Sequence, residues 1–349
     1  MAFCMSKLVR VATVAAALAL LSTGCSTAKP TSPTSTPSAK APPATVTTTN
    51  VIALPGVGGH GDVVTADPAA HAVYVAQSPD NNLIVLDTRN NRIKAVVPHI
   101  VDGNGVDFSD LYVFVAEAGA NRVAVISKST WKVVATVGSG GKSPDAVYYD
   151  PAERTVFVAN VDSDTMTEFS ATSPFTVLGS LALQPSPAHN GPDLGTYVPS
   201  TDHIYQAVDN NVAVINAKTR TISSRFTLSL PAGKSAKDMY FDQAHHLLWV
   251  ATDGKEVLAL NPDNGAVVHT VKTASGTDEV SGDEDHGLLF LGEGKAGVMG
   301  VVDLATDRII ATVKTEPDAH TLAYLPHSNV VYAYLNTSNK VEVDHVNRS

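Results

Sequence analysis

Seven aromatic residues recur along the 349-residue chain, and the positions twelve residues before them read Asp62, Asp102, Asp145, Asp193, Lys237, Asp278 and His320. Asp238 directly follows Lys237, so a one-residue shift there makes six of the seven positions aspartate. Aspartates repeated at the entrance to a strand commonly cap the turn by accepting backbone N–H bonds. Gathered at one opening, the same carboxylates would repel one another and raise some of their own pKa values unless a cation intervened. A hard ion such as Ca²⁺, which takes oxygen ligands, would relieve that repulsion, and so would Lys237 or His320 without any metal. On this second reading Asp62, Asp102, Asp145, Asp193, Asp238, Asp278 and His320 are the candidate ligand-binding residues.

Histidines gather near the same positions: His60 stands two before Asp62, His99 three before Asp102 and His189 four before Asp193. Imidazole combined with carboxylate suits Zn²⁺ or Cu²⁺, although no HExxH-like local spacing accompanies them. His71, His203, His245, His246, His286 and His327 fall in turns and are expected to face solvent. The segment Gly138-Ser139-Gly140-Gly141-Lys142-Ser143 resembles a phosphate loop, but Thr136 occupies the place of the first glycine and a strand pattern follows instead of a helix. No nucleophile-elbow pattern and no distinctive Ser-His-Asp set occurs, so no catalytic residue is assigned.

The elements that must position these residues are strands. Val73-Tyr74-Val75-Ala76, Val113-Phe114-Val115-Ala116, Val156-Phe157-Val158-Ala159, Ile204-Tyr205-Gln206-Ala207, Leu248-Trp249-Val250-Ala251, Leu289-Phe290-Leu291-Gly292 and Val331-Tyr332-Ala333-Tyr334 place their aromatics 40 to 48 residues apart. A period in that range marks propeller blades. Each segment leads through a polar turn to a second strand pattern, such as Leu83-Ile84-Val85-Leu86-Asp87, and then to a third, such as Arg92-Ile93-Lys94-Ala95-Val96-Val97. With the strand before the aromatic segment, each unit holds four strands, and nothing in the repeat has a 3.6-residue apolar period. The last unit ends after Val341-Glu342-Val343-Asp344-His345-Val346 without its fourth strand. Val46 to Leu54, a β-rich segment ahead of the first unit, supplies it and closes the ring, which removes two open sheet edges. The fold expected is all-β: a seven-bladed β-propeller of four-stranded blades, with the last blade closed by the N-terminal strand. Innermost strands put the aspartate series around one mouth of the central channel. Gln77, Glu117, Asn160, Asp209, Asp253, Glu293 and Asn336, which follow the aromatic segments, are expected in loops on the same face, making it polar, acidic and concave.

Tyr74-Val75-Ala76-Gln77 and Phe157-Val158-Ala159-Asn160, each followed by an asparagine- or aspartate-containing turn and a Val-Ile-Asp-like strand, resemble the YVTN family of β-propeller repeats over residues 46 to 346. The resemblance implies a seven-bladed propeller, commonly exported, in a family of varied roles. It transfers no function.

Ahead of the repeats, Lys7 and Arg10 followed by the apolar run Val11 to Leu21 and by Ser22-Thr23-Gly24 read as an export signal, and the run is too short to span a bilayer. Leu21-Ser22-Thr23-Gly24-Cys25 resembles a lipobox, with Ser22 where an aliphatic residue usually stands. The expected organisation is a signal peptide over residues 1–24, a lipidated Cys25 with a Pro/Ser/Thr-rich tether over 25–45, and a single propeller over 46–349. Cys4 leaves with the signal, so a lipidated Cys25 excludes disulfides and thiolate chemistry from the folded domain. Losing Lys7 and Arg10 takes the formal charge from −10 to −12, which opposes binding to a phosphate backbone. These features point to a lipid-anchored propeller in the cell envelope, on the outer face of a bacterial membrane or otherwise periplasmic or extracellular. Its expected role is that of a non-catalytic binding or scaffold module whose acidic face meets a protein, a cell-wall component or a cationic ligand, and not nucleic acid. The membrane is reached only through the lipid. A metal-dependent hydrolase of the lactonase type is the alternative, and a divalent cation is the only cofactor either reading would use.

Overall fold

A computed structural model describes residues 44–183 and 191–348. The proposed signal peptide, Cys25, nearly all of the tether and His189 lie outside the described residues. Among the described residues, twenty-eight strands form seven antiparallel sheets of four, six of them built from consecutive strands. Blade one, for example, runs Val64–Asp67, Ala72–Gln77, Asn82–Asp87 and Arg92–Pro98. The second and third strands are rich in β-branched and aromatic residues and are buried on both faces, because each sheet is sandwiched between its neighbours. All seven repeat aromatics are buried, with at most 4% exposure. Fourth strands such as Arg92–Pro98 alternate toward solvent at the rim.

Ring closure follows the expected plan. Ala44–Ala53 pairs antiparallel with Lys340–Arg348, from Ala44 opposite Arg348 to Ala53 opposite Lys340, with one irregularity between Thr48 and Asn50. The pairing begins two residues earlier than the patterning suggested, and Leu54 N–H extends it by donating to Asn339 O at 3.0 Å. Ile52 and Leu54 then pack in one apolar cluster with Val73 and Val75 of blade one and Tyr332, Tyr334 and Val341 of blade seven. The first and last blades therefore become neighbours, although their sequences lie at opposite ends of the domain.

The innermost strands are stitched to one another by side chains. Asp107 accepts Tyr149 N–H at 2.6 Å, Asp238 accepts Val280 N–H at 3.1 Å, Ser281 Oγ accepts Tyr324 N–H at 2.9 Å and Thr321 Oγ1 accepts Val64 N–H at 2.9 Å. Each bond runs from one blade to the next and fixes their spacing around the channel.

Candidate functional site

Strand register decides which residues reach the mouth of the channel. In six blades the first-strand residue opposite the repeat aromatic lies nine positions before it: Thr65 faces Tyr74, Tyr148 faces Phe157, Thr196 faces Tyr205, Tyr240 faces Trp249, Ser281 faces Phe290 and Ala323 faces Tyr332. In blade two the separation is only seven, with Asp107 opposite Phe114. Three residues upstream of each opposed position stand Asp62, Asn104, Asp145, Asp193, Lys237, Asp278 and His320. The shorter hairpin of blade two thus puts Asn104 where a fixed twelve-residue count points to Asp102.

The structure brings Asp62, Asp145, Asp193 and Asp278 around one cavity of about 450 Å³, with His60, Asn104, Lys237 and Glu279 also in its wall. His320 joins them from blade seven, its Nε2 3.9 Å from Asp278 Oδ2. Two expected members are placed elsewhere. Asp102 is an exposed turn residue with φ 50°, held by its own backbone: its N–H donates to Asn81 Oδ1 at 2.9 Å and its carbonyl accepts Ala118 N–H at 2.9 Å. Asp238 points one layer deeper, where its carboxylate accepts Met239 N–H and Val280 N–H, so it is a strut between blades five and six. It lines a second cavity of about 690 Å³ that opens along the other end of the channel among Tyr148, Tyr149, Tyr197, Tyr240 and Tyr324. Glu279 is shared by both cavities.

Six of the seven polar residues after the aromatic segments are too buried to make a concave binding surface, and the seventh, Asp253, is half-buried and pairs with Lys234 Nζ at 3.5 Å. Gln77, Glu117, Asn160, Asp209, Glu293 and Asn336 are buried, and several of them hold the loop entering their own blade. Glu117 accepts Val101 N–H at 2.8 Å and pairs with Arg122 Nε at 2.6 Å, while Glu293 accepts Ala274 N–H at 2.6 Å and Ser275 N–H at 3.1 Å. Their repetition is structural: each strand end must satisfy loop N–H groups that no ladder reaches.

Charge at the mouth is unevenly balanced. Lys237 Nζ lies 2.6 Å from Asp193 Oδ2 and 3.5 Å from Asp278 Oδ1, bridging two blades; burial works against its charge, but those carboxylates hold its pKa well above the usual lysine range. His60 Nε2 lies 3.3 Å from Asp62 Oδ1. Burial opposes ionisation of Asp62 too, yet the hydrogen bond and charge of His60 keep its carboxyl below the usual value. Among the described residues no lysine, arginine or histidine pairs with Asp145 in this way. Burial, and then the charges of Asp62 and Asp193, push it well up, so of the hydrogen-bonded pair Asp145 holds the proton and Asp62 the charge. Burial also drives Glu279 well up, with Asp238 adding to it, and raises Asp238 itself to about 8. Carboxyl groups whose pKa values are raised by burial and mutual repulsion mark a place where an added cation gains free energy.

Sequence reasoning missed Asn104, hidden by the short hairpin, and Glu279, whose signal was its place beside Asp278 in an acidic pair entering a strand. A family model described as a YNCE-like beta-propeller matches residues 108–346. No curated protein matches. Among solved structures, Kuenenia stuttgartiensis hydrazine synthase is similar with a TM-score of 0.70 at 13% identity, over 85% of this chain and 97% of that one. The β-propeller domain of Myceliophteria thermophila Cps50 (Swd1) also has a TM-score of 0.70 at 13% identity, over 87% of this chain and all of that one. At such identity the two structures speak for the fold alone.

Proposed function

The chain belongs to the YNCE-like β-propeller family, and from that premise we propose that it is a non-catalytic binding module whose ligand is cationic and seats in the acidic mouth of the propeller. The carrying observation is the excess of carboxyl groups there: Asp62, Asp145, Asp193, Asp278 and Glu279 surround one lysine, and two of the five are pushed well up in pKa by burial together with neighbouring charge. An amine, a guanidinium group or a metal ion entering the cavity would let Asp145 ionise and would replace repulsion with charge-assisted hydrogen bonds or ion contacts. Rigid blades tied together at their inner strands suit such a role, because the site is formed before the ligand arrives. The same charge works against a polyanion such as nucleic acid.

We place the module in the cell envelope, exported by residues 1–24 and held by a lipid on Cys25 through the tether over residues 25–45, with its cationic partner on a protein or cell-wall component.

The test is a calorimetric titration with spermidine, a small polycation, on the wild type and on Asp145→Asn and Asp193→Asn. Losing a charged hydrogen-bond partner costs about 1.5–3 kcal/mol, so each variant should bind about 10- to 100-fold more weakly. Equal affinity in all three proteins removes the mouth from the account.

A further inference from the structure

Ring closure sets two histidines from opposite ends of the domain side by side. His60 comes from the loop entering blade one and His320 from the loop entering blade seven; their rings stack with centroids 4.8 Å apart and planes 20° from parallel. One donor atom from each of His60, Asp62 and His320 lies within 4.8 Å of the others. The His320 side chain is only 7% exposed, and its partners define its tautomer. Nδ1 lies 2.8 Å from the Asp318 carbonyl oxygen; a carbonyl can only accept, so Nδ1 carries the hydrogen. Asn336 fits that tautomer with its Oδ1, otherwise unpartnered, turned toward the ring in place of the Nδ2 now 3.1 Å from Nδ1.

The consequence falls on Nε2. It is buried, forms no hydrogen bond among the described residues and faces Asp278 Oδ2 at 3.9 Å. A bare nitrogen lone pair aimed at a carboxylate oxygen is unfavourable unless positive charge lies between them. A proton would supply one charge. A metal ion would supply two and would also use the lone pairs of His60 and Asp62, which converge on the same point.

We propose that His60, Asp62 and His320 bind one divalent metal ion of borderline softness, of the Zn²⁺ or Cu²⁺ class, at the junction of the first and last blades. The proposal rests on the reading of the mouth as a cation-binding face and names the cation. Two imidazoles and one carboxylate select against Ca²⁺ and Mg²⁺, which require oxygen ligands in larger number. His320 already has the arrangement of a metal-ligating histidine, in which the second ring nitrogen donates to a backbone carbonyl and fixes the orientation of the first. Metal–ligand bonds of about 2.0–2.2 Å need the donors about 3.5 Å apart. The required movement falls to His60, whose side chain is 63% exposed, while His320 stays in place. With three protein ligands, the fourth direction is left for Asp278 or for a donor atom of a bound molecule.

The experiment is calorimetric titration of chelator-stripped protein with ZnCl₂, using the wild type, His60→Ala, Asp62→Asn, His320→Gln and, as a control for scattered surface histidines, His245→Ala. Saturation at one Zn²⁺ per chain is expected for the wild type and His245→Ala, with affinity lower by at least about 10- to 100-fold in each of the other three. His60 is exposed, so His60→Ala decides the matter even if His320→Gln folds poorly. Absence of saturable Zn²⁺ binding, or equal affinity in His60→Ala, overturns the site. Spermidine binding that depends on Asp145 and Asp193, without Zn²⁺ binding, overturns the metal and leaves the acidic mouth standing; loss of both overturns both.

Discussion

Asp344 offers a test of how burial controls charge in the closing blade. It lies in the strand Lys340–Arg348, opposite Thr48 of the N-terminal strand and Val331 of its own blade. Its side chain is fully buried, and the Thr48 hydroxyl beside it, which donates to Glu342 Oε1 at 2.7 Å, offsets that burial only in part. Burial, with a contribution from the charge of Glu342, pushes its carboxyl from the ordinary 3.8 up to about 6. The folded state therefore holds a proton that the unfolded chain releases, and linkage makes this group's contribution fall as pH rises. Below pH 3.8 the carboxyl is neutral in both states and costs nothing as a charge; between 3.8 and about 6 the penalty grows; above that it is constant. The gap between the two values corresponds to on the order of 2–3 kcal/mol at pH 8. Asp344→Asn removes the titration but keeps a polar side chain of the same shape. Urea unfolding of both proteins at pH 4 and pH 8 isolates this group from the other carboxyls, because those contribute equally to each. The variant should gain about 2–3 kcal/mol relative to the wild type between pH 4 and pH 8. A difference that does not change with pH would show that Asp344 ionises as freely in the folded protein as in the unfolded chain, and would refute the reasoning.

Other outcomes follow from the same geometry. Deleting residues 44–54 removes the paired strand and the buried Ile52 and Leu54; those two side chains alone contribute about 1.5–3 kcal/mol each. The urea midpoint should drop sharply, and the edge left open on blade seven should appear as self-association in size-exclusion chromatography; an unchanged midpoint in a monomer contradicts closure. A Cβ at Gly292 would stand 2.1 Å from the His320 carbonyl oxygen, so Gly292→Ala should cost about 1–3 kcal/mol and weaken Zn²⁺ binding by displacing His320. Unaltered affinity there would mean that the position of His320 is irrelevant to the metal. In cells, Cys25→Ala should move the protein from the membrane fraction to the soluble extracytoplasmic fraction, and a variant still sedimenting with membranes would rule out the lipid as the anchor.

The fold was legible because seven copies of one pattern must solve one packing problem, and Tyr74, Phe114 and Trp249 are buried between sheets for the same reason. Closure was legible as well, since a unit lacking its fourth strand and a spare β-rich segment at the other end imply one another. The site was only partly legible. Counting back from the aromatics holds for Asp62, Asp145, Asp193, Asp278 and His320, whose hairpins share one length, and fails for Asp102 because the hairpin of blade two is two residues shorter, a difference that the varying aromatic spacing does not assign to the hairpin or to a loop. Asp238 illustrates a different limit: neighbouring residues of a strand point in opposite directions, so the shift that would have completed the aspartate series turns the side chain into the inter-blade layer. Glu117 and Glu293 read from sequence as exposed loop residues and are instead buried loop anchors, a distinction that depends on which N–H groups the fold leaves unsatisfied. His60 and His320 are 260 positions apart and meet only because the ring closes.

The central claim is that ligand binding takes place at the mouth carrying Asp145, Asp193 and His320. Backbone amide NMR of the isotope-labelled chain, titrated with Zn²⁺ and separately with spermidine, tests it most directly. Shift changes are expected only in the loops and first-strand starts around residues 60–62, 104, 145, 193, 237 and 278–279, and 318–320. Changes centred instead on the tyrosine-lined far end of the channel, around Tyr149, Tyr197 and Tyr324, or spread evenly over the acidic surface, would contradict it.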